Sequence, residues 1–237
     1  MDTPEKTARF DDQMLRRERI LGFVWLPIHV IALPLLLGVV LMLVTGKLPD
    51  EAQMNTIYYI ISFAFIVLAF WSFLKLGYRR LVERFRAVVL MMFLAYLLQV
   101  GLSLLVNLGS GVFGELETPN NDAINDLTKT NLKQIIAIAV LMAPIVEEVL
   151  FRGVLFGTIA KKSRVAAYAA SIILFSLYHV WQFAVVEGDW SVLVNAIAYV
   201  PLSAALTFCY DRTETIWAPI FFHILVNTLA LTVMTAM

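Results

Sequence analysis

Seven apolar runs, each close to the length needed to cross a bilayer, leave this chain of 237 residues little else to fold into. An α-helix rises about 1.5 Å per residue, so about 20 apolar residues span a hydrocarbon core. Runs of that kind lie at roughly 20–45, 56–77, 87–108, 134–160, 164–186, 191–210 and 216–236. Backbone polar groups in hydrocarbon must be satisfied within their own segment, which predicts an all-α fold. The expected architecture is a polytopic bundle of about seven transmembrane helices, a single transmembrane domain over 1–237. Composition agrees, with 60% hydrophobic residues, 15% charged residues and a mean hydropathy of +0.81. Lys plus Arg and Asp plus Glu balance at 18 each, so there is no basic surplus to suit a nucleic-acid partner. The lone Cys209 excludes an intramolecular disulfide, and one Cys with three His is too few for a structural zinc module.

The basic residues set the expected orientation, because Lys and Arg beside helix ends resist translocation. Fifteen lie on alternate sides of the spans: Lys6, Arg9, Arg16, Arg17 and Arg19; Lys75, Arg79, Arg80, Arg84 and Arg86; Arg152, Lys161, Lys162 and Arg164; and Arg212. Only Lys47, Lys129 and Lys133 fall on the other side. This predicts a cytoplasmic N-terminus and an outside C-terminus. Residues 1–19 are polar and lack the early apolar segment of a cleaved secretory signal, so the first helix is expected to act as the insertion signal. They read as a cytoplasmic tail, in which 8–19 form either a short surface helix or a solvated segment. The stretch from Gly109 to Lys133, rich in Gly, Asn, Asp and Thr, reads as an exposed loop.

A charged side chain in hydrocarbon costs at least ~3 kcal/mol, which makes each one inside a span a candidate functional residue. Away from the span ends these are His29, Glu147, Glu148, Arg152, His179 and His223, with Gln99, Asn195 and Asn227 as neutral polar company. Pro144 lacks an N–H, so it is expected to free the carbonyl of Val140 and kink the helix just before the two glutamates. Glu148 and Arg152 stand four residues apart with the acid N-terminal, the favourable order for an ion pair. Glu147 has no such partner, which suits it to act as a general base or acid. His223 and Asn227 share a helix face at the same spacing. His29, with no companion motif, reads as packing or cavity lining. Tyr178, Trp181, Tyr199 and Trp217 read as lining residues or as packing.

Measured along their helices, Glu147, His179, His223 and Asn227 can meet in the cytoplasmic half of the bundle. Two carboxylates, two imidazoles and an amide gathered there suit hydrolysis. A carboxylate takes a proton from water, an imidazole orients it, and His with Asn stabilises an oxyanion. The same Glu147, His179 and His223 could instead hold one zinc ion with water in the fourth position, although no HExxH supports this.

At these residues the sequence resembles the CPBP family of CAAX proteases and bacteriocin-processing enzymes. Glu147 to Gly153 fits EExxxR, Phe175 to His179 fits FxxxH, and His223 to Asn227 fits HxxxN, in the family's order and spacing. The resemblance makes 134–237 the catalytic core and implies an intramembrane endopeptidase acting on a peptide or prenylated, CAAX-type substrate. It implies that Glu147 activates water with help from His179, that His223 and Asn227 stabilise the oxyanion, and that Glu148 and Arg152 support the site. Members have been described both as metalloproteases and as metal-independent glutamate proteases; the metal-free form is favoured here. A prokaryotic plasma membrane and a site open to the cytoplasmic leaflet are expected. The rival readings are a catalytically silent immunity or scaffolding protein and a proton-coupled transporter. Oligomeric state is not readable from the sequence.

Overall fold

A helix that carries two glutamates and an arginine into a membrane has to be wrapped by other helices, and this one is. In the fourth span, Asn131–Ile159, 67% of the apolar window is buried, against 11% in the first and third spans. The computed structural model describes residues 10–11, 13–47, 50–113 and 116–236, which form helices joined by short turns and include no strand. Seven helices are long and apolar enough to cross a membrane: Arg16–Thr45, Ala52–Ala69, Phe85–Gly109, Asn131–Ile159, Arg164–Glu187, Trp190–Thr213 and Trp217–Ala236. They are spans one to seven below. The protein is an integral membrane protein, and apolar side chains such as Leu43, Leu68 and Leu108, each 79% exposed, face where lipid lies. Lys6 and Arg9 of the charge tally lie outside the described residues.

Two elements depart from the expected pattern. The second span ends at Ala69, and Trp71–Glu83 is a separate helix rather than the end of a span reaching residue 77. Its apolar face, Phe73, Leu74, Gly77 and Leu81, is buried while Lys75 and Arg79 are exposed, so it packs on the bundle's basic end instead of crossing. The stretch expected as a loop from Gly109 to Lys133 also holds a helix, Pro119–Ile135, with Pro119 in its first turn and a kink at Asn131. Its polar composition hid an apolar pair, Ile124 and Leu127, one turn apart.

The basic end is plugged. Of the stretch 8–19, residues 8, 9 and 12 lie outside the described residues; 10, 11 and 13–15 are not helical, Phe10 and Met14 are buried, and Phe10 packs edge-on against Phe156 and Tyr210. Buried Glu18 accepts from the backbone N–H of Leu15 at 2.9 Å and of Phe73 at 3.0 Å, capping two helix starts at once. Trp217 donates its indole N–H to the Leu74 carbonyl at 2.8 Å, and Thr215 donates to the Gly77 carbonyl at 2.7 Å. Arg80 bonds the Asp11 carboxylate at 2.8 Å and the Glu214 carbonyl at 3.0 Å. Gly153 is where this plug meets the fourth span: a Cβ there would stand 2.8 Å from the Phe73 ring.

Candidate active site

Pro144 shapes the site, though through a different carbonyl from the one expected. Residues Ile136–Met142 form wide π-helical turns in which the Ala143 N–H bonds the carbonyl five residues back, that of Ile138. In that register the carbonyl orphaned by Pro144 belongs to Ala139, not Val140. The Asn227 side-chain amide fills the gap, donating to the Ala139 carbonyl at 2.7 Å. Asn227 therefore stitches the seventh span to the break in the fourth and keeps one N–H hydrogen for other work.

The wide turns resume at Val149–Phe156 and bring Glu148 and Arg152 together. Arg152 donates to Glu148 Oε1 at 3.0 Å, to the Ser203 hydroxyl at 2.9 Å and to the Ser203 carbonyl at 3.1 Å, with its guanidinium 4.1 Å from the Phe175 ring centre. Both charges are fully buried, so each depends on the other and on these bonds. His223 Nδ1 lies 2.9 Å from the same Oε1 of Glu148. An ionised carboxylate only accepts, so Nδ1 carries the hydrogen and Nε2 points away from Glu148.

His179 does not sit mid-helix as the continuous apolar run suggested. The fifth span breaks there, with one helix ending at Tyr178 and the next beginning at Trp181. His179 Nδ1 lies 2.9 Å from the Phe175 carbonyl, which can only accept, so Nδ1–H donates and Nε2 faces inward. Its ring stacks on Tyr199, centroids 4.7 Å apart. The two inward Nε2 atoms converge on one oxygen of Glu147, Oε2, at 3.9 Å from His179 and 4.0 Å from His223. Neighbouring ligands of a tetrahedral zinc ion with bonds of about 2.1 Å lie about 3.4 Å apart. These separations are wider, and no three His, Cys, Asp or Glu side chains among the described residues are grouped to hold a metal ion.

These groups form one wall of a cavity of about 400 Å³. Asn55, Asn120, Asn121 and Gln182 line its far end, together with Met54 and Met234. All come from the end of the bundle opposite the basic connections, and no Lys or Arg lines the cavity. Phe10, Met14 and the buried face of the Trp71–Glu83 helix fill the basic end itself. Tyr178 and Tyr199 line the cavity, whereas Trp217 is spent on the plug and neither Trp181 nor Gln99 reaches it. Asn195 is used otherwise, accepting from the Glu117 N–H at 3.1 Å.

Residues 130–229, the stretch holding all of the three motifs, match the family described as type II CAAX prenyl endopeptidase Rce1-like. Over these residues the chain is similar to that family. A Bacillus subtilis (strain 168) protein, YdiL, named as a candidate membrane peptidase, is 31% identical over 114 residues. That match covers 47% of this chain and 41% of YdiL, so the shared stretch is less than half of either protein. No solved structure matches the chain.

Some residues of the site were not singled out from the sequence. Tyr59 donates its hydroxyl to Glu147 Oε1 at 3.3 Å, and Ser203 anchors Arg152. Both are single polar groups in apolar helices, a weak signal. His29, read from the sequence as packing or cavity lining, lies 3.3 Å from the Tyr178 hydroxyl.

Proposed function

We propose that this protein is an intramembrane endopeptidase in which Glu147 activates a water for attack on a peptide bond. The observation that carries the reading is the convergence of two imidazole Nε2 atoms, from different spans, on a single oxygen of a buried glutamate beside a cavity. Separations of 3.9 and 4.0 Å are too long for direct hydrogen bonds and suit groups joined through one water. Glu147 Oε2 takes a proton from that water as its oxygen attacks the carbonyl carbon. His179 Nε2 accepts the other hydrogen and orients the nucleophile. His223, held through Nδ1 by Glu148, presents Nε2 to the oxyanion when it carries a hydrogen there, and the free Asn227 N–H adds a second donor. The proton on Glu147 then passes to the leaving amine as the C–N bond breaks, leaving an acid and an amine.

The substrate is a membrane-associated segment that enters from the end lined by Asn55, Asn120, Asn121 and Gln182. Carboxamides both donate and accept, which suits an extended peptide backbone. With the basic connections in the cytoplasm, that end faces the opposite side of a prokaryotic plasma membrane. Purified protein in detergent is to be incubated with a quenched farnesylated CAAX peptide and with its unlipidated form, and products read by mass. Cleavage of the unlipidated peptide at least as fast as the farnesylated one supports a backbone-reading site; strict dependence on the farnesyl group supports a lipid-reading one. Cleavage that survives in Glu147→Gln removes the mechanism.

A further inference from the structure

Glu147 has a second set of partners, which Tyr178 links to the first two spans, outside the stretch that matches the family. Its other oxygen, Oε1, accepts from the Tyr59 hydroxyl at 3.3 Å. The Tyr59 hydroxyl lies 3.5 Å from that of Tyr178, which lies 3.3 Å from His29 Nε2. Tyr58 joins the same point, 3.0 Å from His29 Nε2 and 3.1 Å from the His29 carbonyl. His29 Nδ1 lies 3.0 Å from the Ser62 hydroxyl. His29 and Ser62 are fully buried. His29 sits in a π-helical turn, Ile28–Ala32, that follows Pro27, a local widening of the first span.

One assignment of donors and acceptors runs in a single direction along this chain. Glu147 as a base only accepts, so Tyr59 must donate to it, and the Tyr59 oxygen is then free to accept from Tyr178. Tyr58 has a carbonyl to donate to, that of His29. Tyr178 and Tyr58 can then both accept from His29 Nε2–H, while Nδ1 accepts from Ser62. In that assignment every hydrogen from Ser62 to Glu147 points toward the carboxylate, and hydrogen bonds aligned in this way strengthen one another.

We infer that the Ser62–His29–Tyr178–Tyr59 chain is a positioning relay for Glu147, with His29 as its remote anchor. It holds Oε1 so that Oε2 is turned to the two imidazoles. The inference rests on the reading of Glu147 as the base, and makes the first two spans part of the site rather than mere packing around it.

Infrared spectra of the purified full-length protein, with the Glu147 carboxyl bands assigned by their loss in Glu147→Gln, test the relay without turnover. The bands are expected to shift in Tyr59→Phe and in His29→Leu, and to return toward wild type in His29→Gln, whose amide keeps a donor near the Nε2 position. With the CAAX peptide as substrate, Tyr59→Phe and His29→Leu are expected to lower kcat about tenfold with KM unchanged, the effect of about 1.4 kcal/mol in the transition state. Unmoved bands in folded Tyr59→Phe overturn the relay. So does a His29→Gln variant that behaves as His29→Leu, or a moved band with kcat intact. If Glu147→Gln itself retains turnover, it is the base assignment that fails, whatever the bands show.

Discussion

Among the described residues, His29, Glu147, Glu148, Arg152, His179 and His223 each have a partner that accounts for their presence at membrane depth, and the partners divide the two adjacent glutamates. Glu148 is tied to Arg152 and His223, while Glu147 meets a tyrosine on one oxygen and two imidazoles on the other. Glu147→Gln keeps the shape and removes the base, so kcat is expected to fall by about 10²- to 10⁴-fold while thermal stability in detergent changes little. Arg152→Ala has the opposite profile. It leaves Glu148 as an unpaired buried charge, a loss of about 3–5 kcal/mol seen as a large drop in the unfolding midpoint. The acids, the arginine and the histidines were legible as a site because their spacing and depth are written in the sequence. The Asn227–Ala139 bond was not, because it depends on a helix register widened by one residue, which side-chain type does not announce.

At the scale of elements, the span count was readable from hydropathy alone and the breaks within spans were not. The run from residue 164 to 186 is apolar throughout, yet the helix stops at His179 so that its ring can stack on Tyr199 and bond Phe175. The Pro119–Ile135 helix was hidden for the converse reason: it buries only a narrow apolar face against the cavity wall. Close approach between elements is most exposed to test at Gly153, whose missing Cβ admits Phe73. Gly153→Val is expected to cost about 1–3 kcal/mol by overpacking, measured as a lower midpoint in denaturant or heat. At Gly46, where nothing lies within reach of an added Cβ, the only penalty for a side chain is the left-handed backbone, φ 68°.

At the scale of the whole molecule, the basic end is plugged, and Asn55, Asn120, Asn121 and Gln182 of the cavity lining belong to the opposite end. Asp11 helps tie the plug: the hydrogen bond from Arg80 holds its carboxyl below the ordinary value of 3.8. A depressed carboxyl stabilises the fold above the unfolded value and loses that contribution as pH falls through the folded one. Asp11→Asn is therefore expected to lower the unfolding midpoint at neutral pH, with the difference from wild type closing as pH drops below 3.8. The direction of the cavity is open to labelling. Cysteines placed at Asn55 or Gln182 are expected to react with an impermeant maleimide from outside intact cells, and one at Lys161 only after lysis, with buried Cys209 silent in both. Labelling in the reverse order would put the cavity on the cytoplasmic side.

The decisive measurement is the mass of the products formed from the CAAX peptides by wild type, by Glu147→Gln and by wild type with a strong zinc chelator. A glutamate-activated water predicts cleavage by wild type that survives the chelator and is lost in a folded Glu147→Gln protein. Cleavage retained by Glu147→Gln, or abolished by the chelator and restored by zinc, would contradict it.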